Sequence, residues 1–112
     1  MEYRQISENY AVTGQIAPED AGAIKAAGFK SVICNRPDNE QPGQPSHDEI
    51  RAAVEAAGLA FRYIPGISGQ MTQDNVEDQA KALRELEGPV LAFCRSGTRC
   101  TNLFAAIQQA NG

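Results

Sequence analysis

Short apolar runs alternate along the chain with longer segments in which apolar residues recur every three or four positions, and turn formers separate the two. The runs predict strands and the longer segments predict amphipathic helices. Tyr3 to Ser7 and Tyr10 to Gly14, either side of Glu8-Asn9, read as the two short strands of an edge hairpin. Pro18 opens a helix whose first turn carries Glu19 and Asp20, suited to the positive end of its dipole. Ile24 faces inward and Gly28 ends it. Phe29 to Cys34 is a buried strand, and Asn35 to Pro45, with three prolines and a glycine, is a loop. Ser46 and Glu49 form a capping box that opens a helix with Ile50, Val54 and Ala57 on one face and Gly58 as its stop. Leu59 to Ile64 is the next strand and Pro65 to Met71 the next loop. Thr72 caps a third helix, with Val76, Ala80 and Leu83 at helical spacing and Gly88-Pro89 closing it. Val90 to Phe93 is a short strand, and a last helix runs from Thr98 with Leu103, Phe104 and Ile107 inside.

This alternation predicts an α/β fold: a small, mostly parallel sheet of four to five strands flanked by helices, with residues 1–112 as a single domain. Ligands in such sheets bind where loops leave the carboxyl ends of the strands. Three loops meet that description, at Asn35 to Pro45, Pro65 to Met71 and Cys94 to Arg99.

Composition narrows the function classes. With 42% hydrophobic and 21% charged residues, the chain has the makings of a packed core rather than a disordered segment. A net charge of -4 argues against nucleic acid as a partner, because that footprint needs a basic face. No apolar run approaches a membrane span, and Met1-Glu2-Tyr3-Arg4 lacks the apolar segment of a signal peptide, so the expected location is the cytoplasm. Cys34, Cys94 and Cys100 are an odd number, a poor fit to a secreted disulfide framework. With His47 as the single histidine and no paired cysteine spacing, neither a metal nor another cofactor is expected.

The chemistry concentrates in Cys94-Arg95-Ser96-Gly97-Thr98-Arg99, between a strand and a helix. A tight loop ending on a helix N-terminus turns several backbone N–H groups into its own centre. Gly97 allows a conformation or a close approach that a side chain forbids. The helix dipole and Arg99 favour thiolate over thiol, and only the thiolate is a competent nucleophile. Arg99 then grips an anionic substrate or leaving group. Cys94 and Arg99 are therefore the candidate catalytic pair, with Arg95, Ser96, Gly97, Thr98 and Cys100 as the anion-binding loop.

Phe-Cys-Arg-Ser-Gly-Thr-Arg, together with Asn35-Arg36-Pro37-Asp38, resembles the small DUF442 family over Val12 to Ile107. This is a phosphatase-like domain also found fused to metallo-β-lactamase-type persulfide dioxygenases. The resemblance implies a fold like that of protein tyrosine and dual-specificity phosphatases, Cys94 as nucleophile and Arg99 as anion ligand. It implies either phosphatase or sulfurtransferase activity. Phosphatases of that fold use a C-x5-R loop preceded by histidine, whereas rhodanese-type sulfurtransferases use C-x4-R. Here the spacing is C-x4-R, and Phe93 stands in the histidine position. Phosphoester cleavage also gains from an acid that protonates the leaving oxygen, yet Pro65 to Met71, the loop where the resemblance places it, holds no carboxylate.

Both features favour sulfur. The expected activity is a rhodanese-like sulfurtransferase that carries sulfane sulfur as a persulfide on Cys94, taking it from thiosulfate or a persulfide and passing it to a thiol acceptor. The alternatives are a phosphatase-like hydrolase acting through Cys94 on a small phosphoester or phosphoprotein, and a non-catalytic module that binds an anion. Arg36 and Asp38 are candidates for the pocket, with Asp38 or Asp74 as a substitute acid, although Arg-Pro-Asp-Asn is also strong turn chemistry. Cys100 is either a small residue of the first helical turn or a resolving cysteine for Cys94. Thr101 is placed to supply a hydroxyl in its stead. Arg95 is expected to point outward, Cys34 to lie in the core, and His47 to sit in a first helical turn.

Overall fold

In the computed structural model, which describes residues 2–111, the elements follow in the order β1 (Arg4–Ser7), β2 (Tyr10–Thr13), a 3-10 turn at Pro18–Asp20, α1 (Ala21–Ala26), β3 (Ser31–Cys34), α2 (His47–Ala56), β4 (Ala60–Tyr63), α3 (Gln73–Glu85), β5 (Val90–Phe93) and α4 (Thr98–Asn111). The five strands form one sheet in the order β1-β2-β5-β3-β4. Only the β1–β2 hairpin at the edge is antiparallel; β2 on β5, β5 on β3 and β3 on β4 are all parallel. The fold is therefore the α/β arrangement that the alternation predicts.

Side chains on successive strand positions point to opposite faces, so each central strand feeds two cores. Leu91 and Phe93 join Val32, Cys34 and Ala11 on the face covered by Ile24 of α1 and by Ile50 and Val54 of α2. Val90 and Ala92 join Ile33, Tyr10 and Val12 on the opposite face, with Ala82 of α3 and Cys100 of α4. Because both faces are covered, β3 and β5 are buried at every residue, as parallel strands usually are. Ile33 has no exposed surface, and deleting a buried side chain of that size costs about 2–5 kcal/mol.

Three local differences from the sequence reading have simple causes. The first helix begins with a 3-10 turn, where the Asp20 carboxylate accepts the Ala17 N–H at 2.8 Å. Phe29 lies outside β3, yet it remains in the core, edge-on to Tyr3 at 5.0 Å between ring centroids. On α3 the fully covered positions are Gln79 and Ala82, while Val76, Ala80 and Leu83 are only partly covered. Gln79 belongs inside because polar partners meet it there. Among the described residues, no helix is long and apolar enough to cross a membrane.

Candidate active site

β5 ends at Phe93 and α4 begins at Thr98, so the chain must turn from sheet to helix within Cys94 to Gly97. Two supports hold that turn against the end of β2. The Cys94 N–H donates to the Thr13 carbonyl at 3.3 Å, and the Arg95 carbonyl accepts the Gln15 N–H at 3.4 Å. Gly14 lets the two segments touch, since a Cβ there would lie 3.0 Å from the Arg95 oxygen. Gly97 adopts φ +90, a left-handed conformation that L side chains rarely take, and its N–H donates to Cys94 Sγ at 3.0 Å. α4 continues from there, directing its N-terminal amides at the same sulfur.

The sulfur has no solvent exposure. Apolar residues of the α3–α4 face pack beside Cys94, and the amide ring closes on its other side. Burial alone would keep it protonated. The site reverses that and holds the Cys94 thiol at about 5, well below the ordinary 9.0. The strongest cause is the Cys100 thiol, which donates its S–H; burial opposes it, and the N–H groups of Cys100, Ser96 and Arg99 add to it. Cys100 is pushed well up, first by its own burial and then by the neighbouring Cys94. One proton thus belongs to the pair, and it rests on Cys100.

Arg99, in the first turn of α4, is 6% exposed. Its guanidinium meets the Glu40 carboxylate fork to fork, Nη1 on Oε2 at 2.7 Å and Nη2 on Oε1 at 2.9 Å, and Nη1 also donates to the Gly66 carbonyl at 3.0 Å. Arg36 holds the same carboxylate from the other side, Nε on Oε1 at 2.8 Å, and is itself fixed by Gln15 and Gln41. Arg99 foremost, and Arg36 after burial's opposing pull, hold the Glu40 carboxyl at about 2. A cavity of about 570 Å³ opens over this pair, lined by Glu40, Ser68, Arg95, Ser96, Thr98 and Arg99.

The structure thus brings Cys94, Ser96, Gly97, Thr98, Arg99 and Cys100 together. Arg95 is exposed at the cavity, as expected, and Arg36 reaches the site through Glu40. Asp38 lies away from the cavity. Its carboxylate is engaged with the start of α2, Oδ1 accepting the His47 N–H at 2.8 Å and Oδ2 facing His47 Nδ1 at 2.7 Å, and it lines no part of the cavity. Asp74 is exposed in the first turn of α3, also away from the cavity. Thr101 does not replace the hydroxyl either, because its Oγ1 donates to the Gly97 carbonyl at 2.9 Å. Cys34 lies in the core, its thiol raised to about 12 chiefly by burial. Among the described residues, no group of three or more His, Cys, Asp or Glu side chains could hold a metal ion.

Two features escaped the sequence reading. One is Glu40, which the loop after β3 sets fork to fork against Arg99. The other is a buried chain of polar side chains beneath the site. Asn35 Nδ2 donates to Gln79 Oε1 at 2.8 Å, Gln79 Nε2 donates to Asn35 Oδ1 at 3.1 Å and to Tyr10 OH at 3.2 Å, and Tyr10 OH donates to the Cys100 carbonyl at 2.8 Å. Asn35 Nδ2 also ties down the Ile64 carbonyl at 2.9 Å. This chain locks the loop ends and the first turn of α4 to one another.

A buried cysteine ringed by amides at the carboxyl edge of a mostly parallel sheet places the molecule among phosphatase-like α/β folds. The sequence profile of the phosphatase-like domain of beta-lactamase hydrolase-like proteins matches residues 2–112, and the chain belongs to that family. It is 35% identical over 108 residues to the beta-lactamase hydrolase-like protein of Agrobacterium fabrum, an alignment covering 96% of this chain and 25% of that protein. The chain therefore spans about a quarter of the length of this curated relative. A candidate phosphatase from Neisseria meningitidis superposes with a TM-score of 0.90 at 34% identity, over 97% of this chain and 78% of that one. The core catalytic domain of a PP-IP phosphatase from S. cerevisiae, solved with citrate, shares the fold with a TM-score of 0.72 at 13% identity, over 96% and 64% of the two chains.

These likenesses support the phosphatase-like alternative over sulfur transfer, and the two features that favoured sulfur weigh less than expected. The four-residue spacing occurs here within a phosphatase-like fold. A carboxylate does reach Arg99, from a different loop.

Proposed function

We propose that this domain is a cysteine-dependent hydrolase of small phosphomonoesters. The observation that carries the reading is a sulfur held as thiolate near neutral pH, within a ring of amides, next to an arginine whose fork matches an anion. Cys94 attacks phosphorus and displaces the alcohol, giving a cysteinyl phosphate. Water then cleaves the S–P bond and restores the thiolate. The N–H groups of Ser96, Gly97 and Arg99 stabilise the equatorial oxygens as charge develops on them.

Arg99 reaches the phosphoryl group only after Glu40 has yielded its two hydrogen bonds. Access to the covered sulfur likewise requires the side chains around it to shift. The size of the cavity suits a small ester or an exposed phosphorylated side chain better than a buried segment.

One observation favours a second reading. The C-x4-R ring is a residue shorter than the phosphatase loop and suits a single sulfane sulfur on Cys94. A paired assay separates the two: an aryl phosphate on one side, thiosulfate with cyanide on the other, and Cys94→Ser as the control. The phosphatase reading expects aryl alcohol from the unmodified domain and none from the variant. Thiocyanate without aryl alcohol would replace it with sulfur transfer, and silence in both would leave an anion-binding module.

A further inference from the structure

Resting on the phosphomonoesterase reading, we propose that Glu40 is a catalytic residue: its carboxyl protonates the leaving oxygen, and it becomes able to do so when the bound phosphoryl group takes Arg99 from it. Among the described residues, it contributes the one carboxylate in the lining of the cavity. The loop after β4 carries none, and Asp38 is engaged at the start of α2.

The two oxygens of Glu40 are held unequally. Oε1 is shared between Arg36 Nε at 2.8 Å and Arg99 Nη2 at 2.9 Å, whereas Oε2 is held by Arg99 Nη1 at 2.7 Å. When a phosphoryl dianion takes both Arg99 nitrogens, Oε1 keeps its anchor on Arg36. Oε2 loses its partner and is left facing the new anion. Arg36 does not follow the substrate, because Gln15 and Gln41 fix its remaining nitrogens and it is 3% exposed. The backbone of Glu40 is pinned as well, its N–H donating to Gln44 Oε1 at 3.1 Å.

Electrostatics then runs in the required direction. Arg99 is the largest influence keeping the free carboxyl ionised. Binding removes that cation's hydrogen bonds and sets a dianion alongside, and both changes favour the protonated form. Of the other charged groups facing Glu40, Arg36 stays in place and moderates the rise, and Arg95 at the cavity edge acts the same way.

The proton taken up by Oε2 comes from solvent through the open cavity. As the Cys94 S–P bond forms and the ester P–O bond breaks, that proton passes to the departing oxygen and Glu40 becomes a carboxylate. In the second step Glu40 accepts a proton from the attacking water, S–P cleaves, and phosphate and thiolate are regenerated. No oxidant or further reagent is needed.

The test compares two aryl esters, p-nitrophenyl phosphate with a good leaving group and phenyl phosphate with a poor one, in the unmodified domain, Glu40→Gln and Glu40→Asp. A lost proton donor should lower kcat/KM for phenyl phosphate by about 100-fold or more. The p-nitrophenyl ester, which needs little protonation, should change far less, and the basic limb of the pH profile should disappear. Glu40→Asp, which keeps a carboxyl, should recover part of the phenyl phosphate rate. An equal change on both esters would overturn the proposal and leave Glu40 as a mere occupant of Arg99, since loss of an occupant or of folding cannot discriminate leaving groups. An unmodified domain inert on both esters would sink this proposal together with its parent reading.

Discussion

Cys100 offers a direct handle on how the thiolate is made. Its S–H is the largest influence holding Cys94 at about 5, ahead of any backbone amide. Alanine at position 100 removes that donor while leaving the loop and helix amides in place. A hydrogen bond to a charged group contributes about 1.5–3 kcal/mol, and one pKa unit corresponds to about 1.4 kcal/mol. The Cys94 midpoint should therefore rise by about one to two units in Cys100→Ala. Serine keeps a donor on a similar arm, so Cys100→Ser should stay close to the unmodified domain. Thiolate absorbance followed against pH reads the midpoint without interference, because Cys34 is raised to about 12 and Cys100 is also raised. If alanine leaves the midpoint where it was, or serine raises it as much as alanine does, the amide ring alone makes the thiolate and the reasoning about Cys100 fails.

Stability should depend on Cys94 with a definite sign. Its folded pKa of about 5 lies below the ordinary 9.0, so between those values the unfolded chain binds more protons and stability rises with pH. That contribution is lost as pH falls through about 5, and urea denaturation of Cys94→Ser across the same range should show a flatter profile. Gln79→Leu removes the hub between Asn35 and Tyr10; stranding buried polar groups costs about 1–3 kcal/mol each, measurable as a lower urea midpoint with an unchanged slope. Asp38→Asn should leave turnover unchanged while weakening the start of α2 by about 0.3–1 kcal/mol through loss of the negative charge there; a collapse of turnover at unchanged stability would restore Asp38 as an acid.

Local signals made much of this molecule legible. β5 is read to the residue because Gly88-Pro89 and the cysteine loop bound it on both sides. The caps at Ser46 and Thr72 are four-residue patterns, and both form. The cysteine loop is similarly self-contained, since sulfur, amides and arginine lie within six consecutive residues. What stayed hidden depends on distant partners. Glu40 and Arg99 are 59 residues apart, and nothing near Glu40 in the sequence marks it as the carboxylate that will face an arginine on α4. Gln79 misled the helical reading for the same reason. Periodicity counts it as polar and therefore outward, but its partners on β2 and after β3 make burial affordable. Asp38 had two readings, pocket or turn, and the start of α2, nine residues on, holds its carboxylate.

Hydrolysis by this domain would run through covalent chemistry at one sulfur, and acid-quenched mass spectrometry of the domain mixed with an excess of aryl phosphate tests that most directly. The peptide containing Cys94 should gain the mass of one phosphoryl group during turnover, and Cys94→Ser should neither gain it nor release phosphate. Steady phosphate release with the Cys94 peptide unmodified, or with the serine variant still active, would contradict the account.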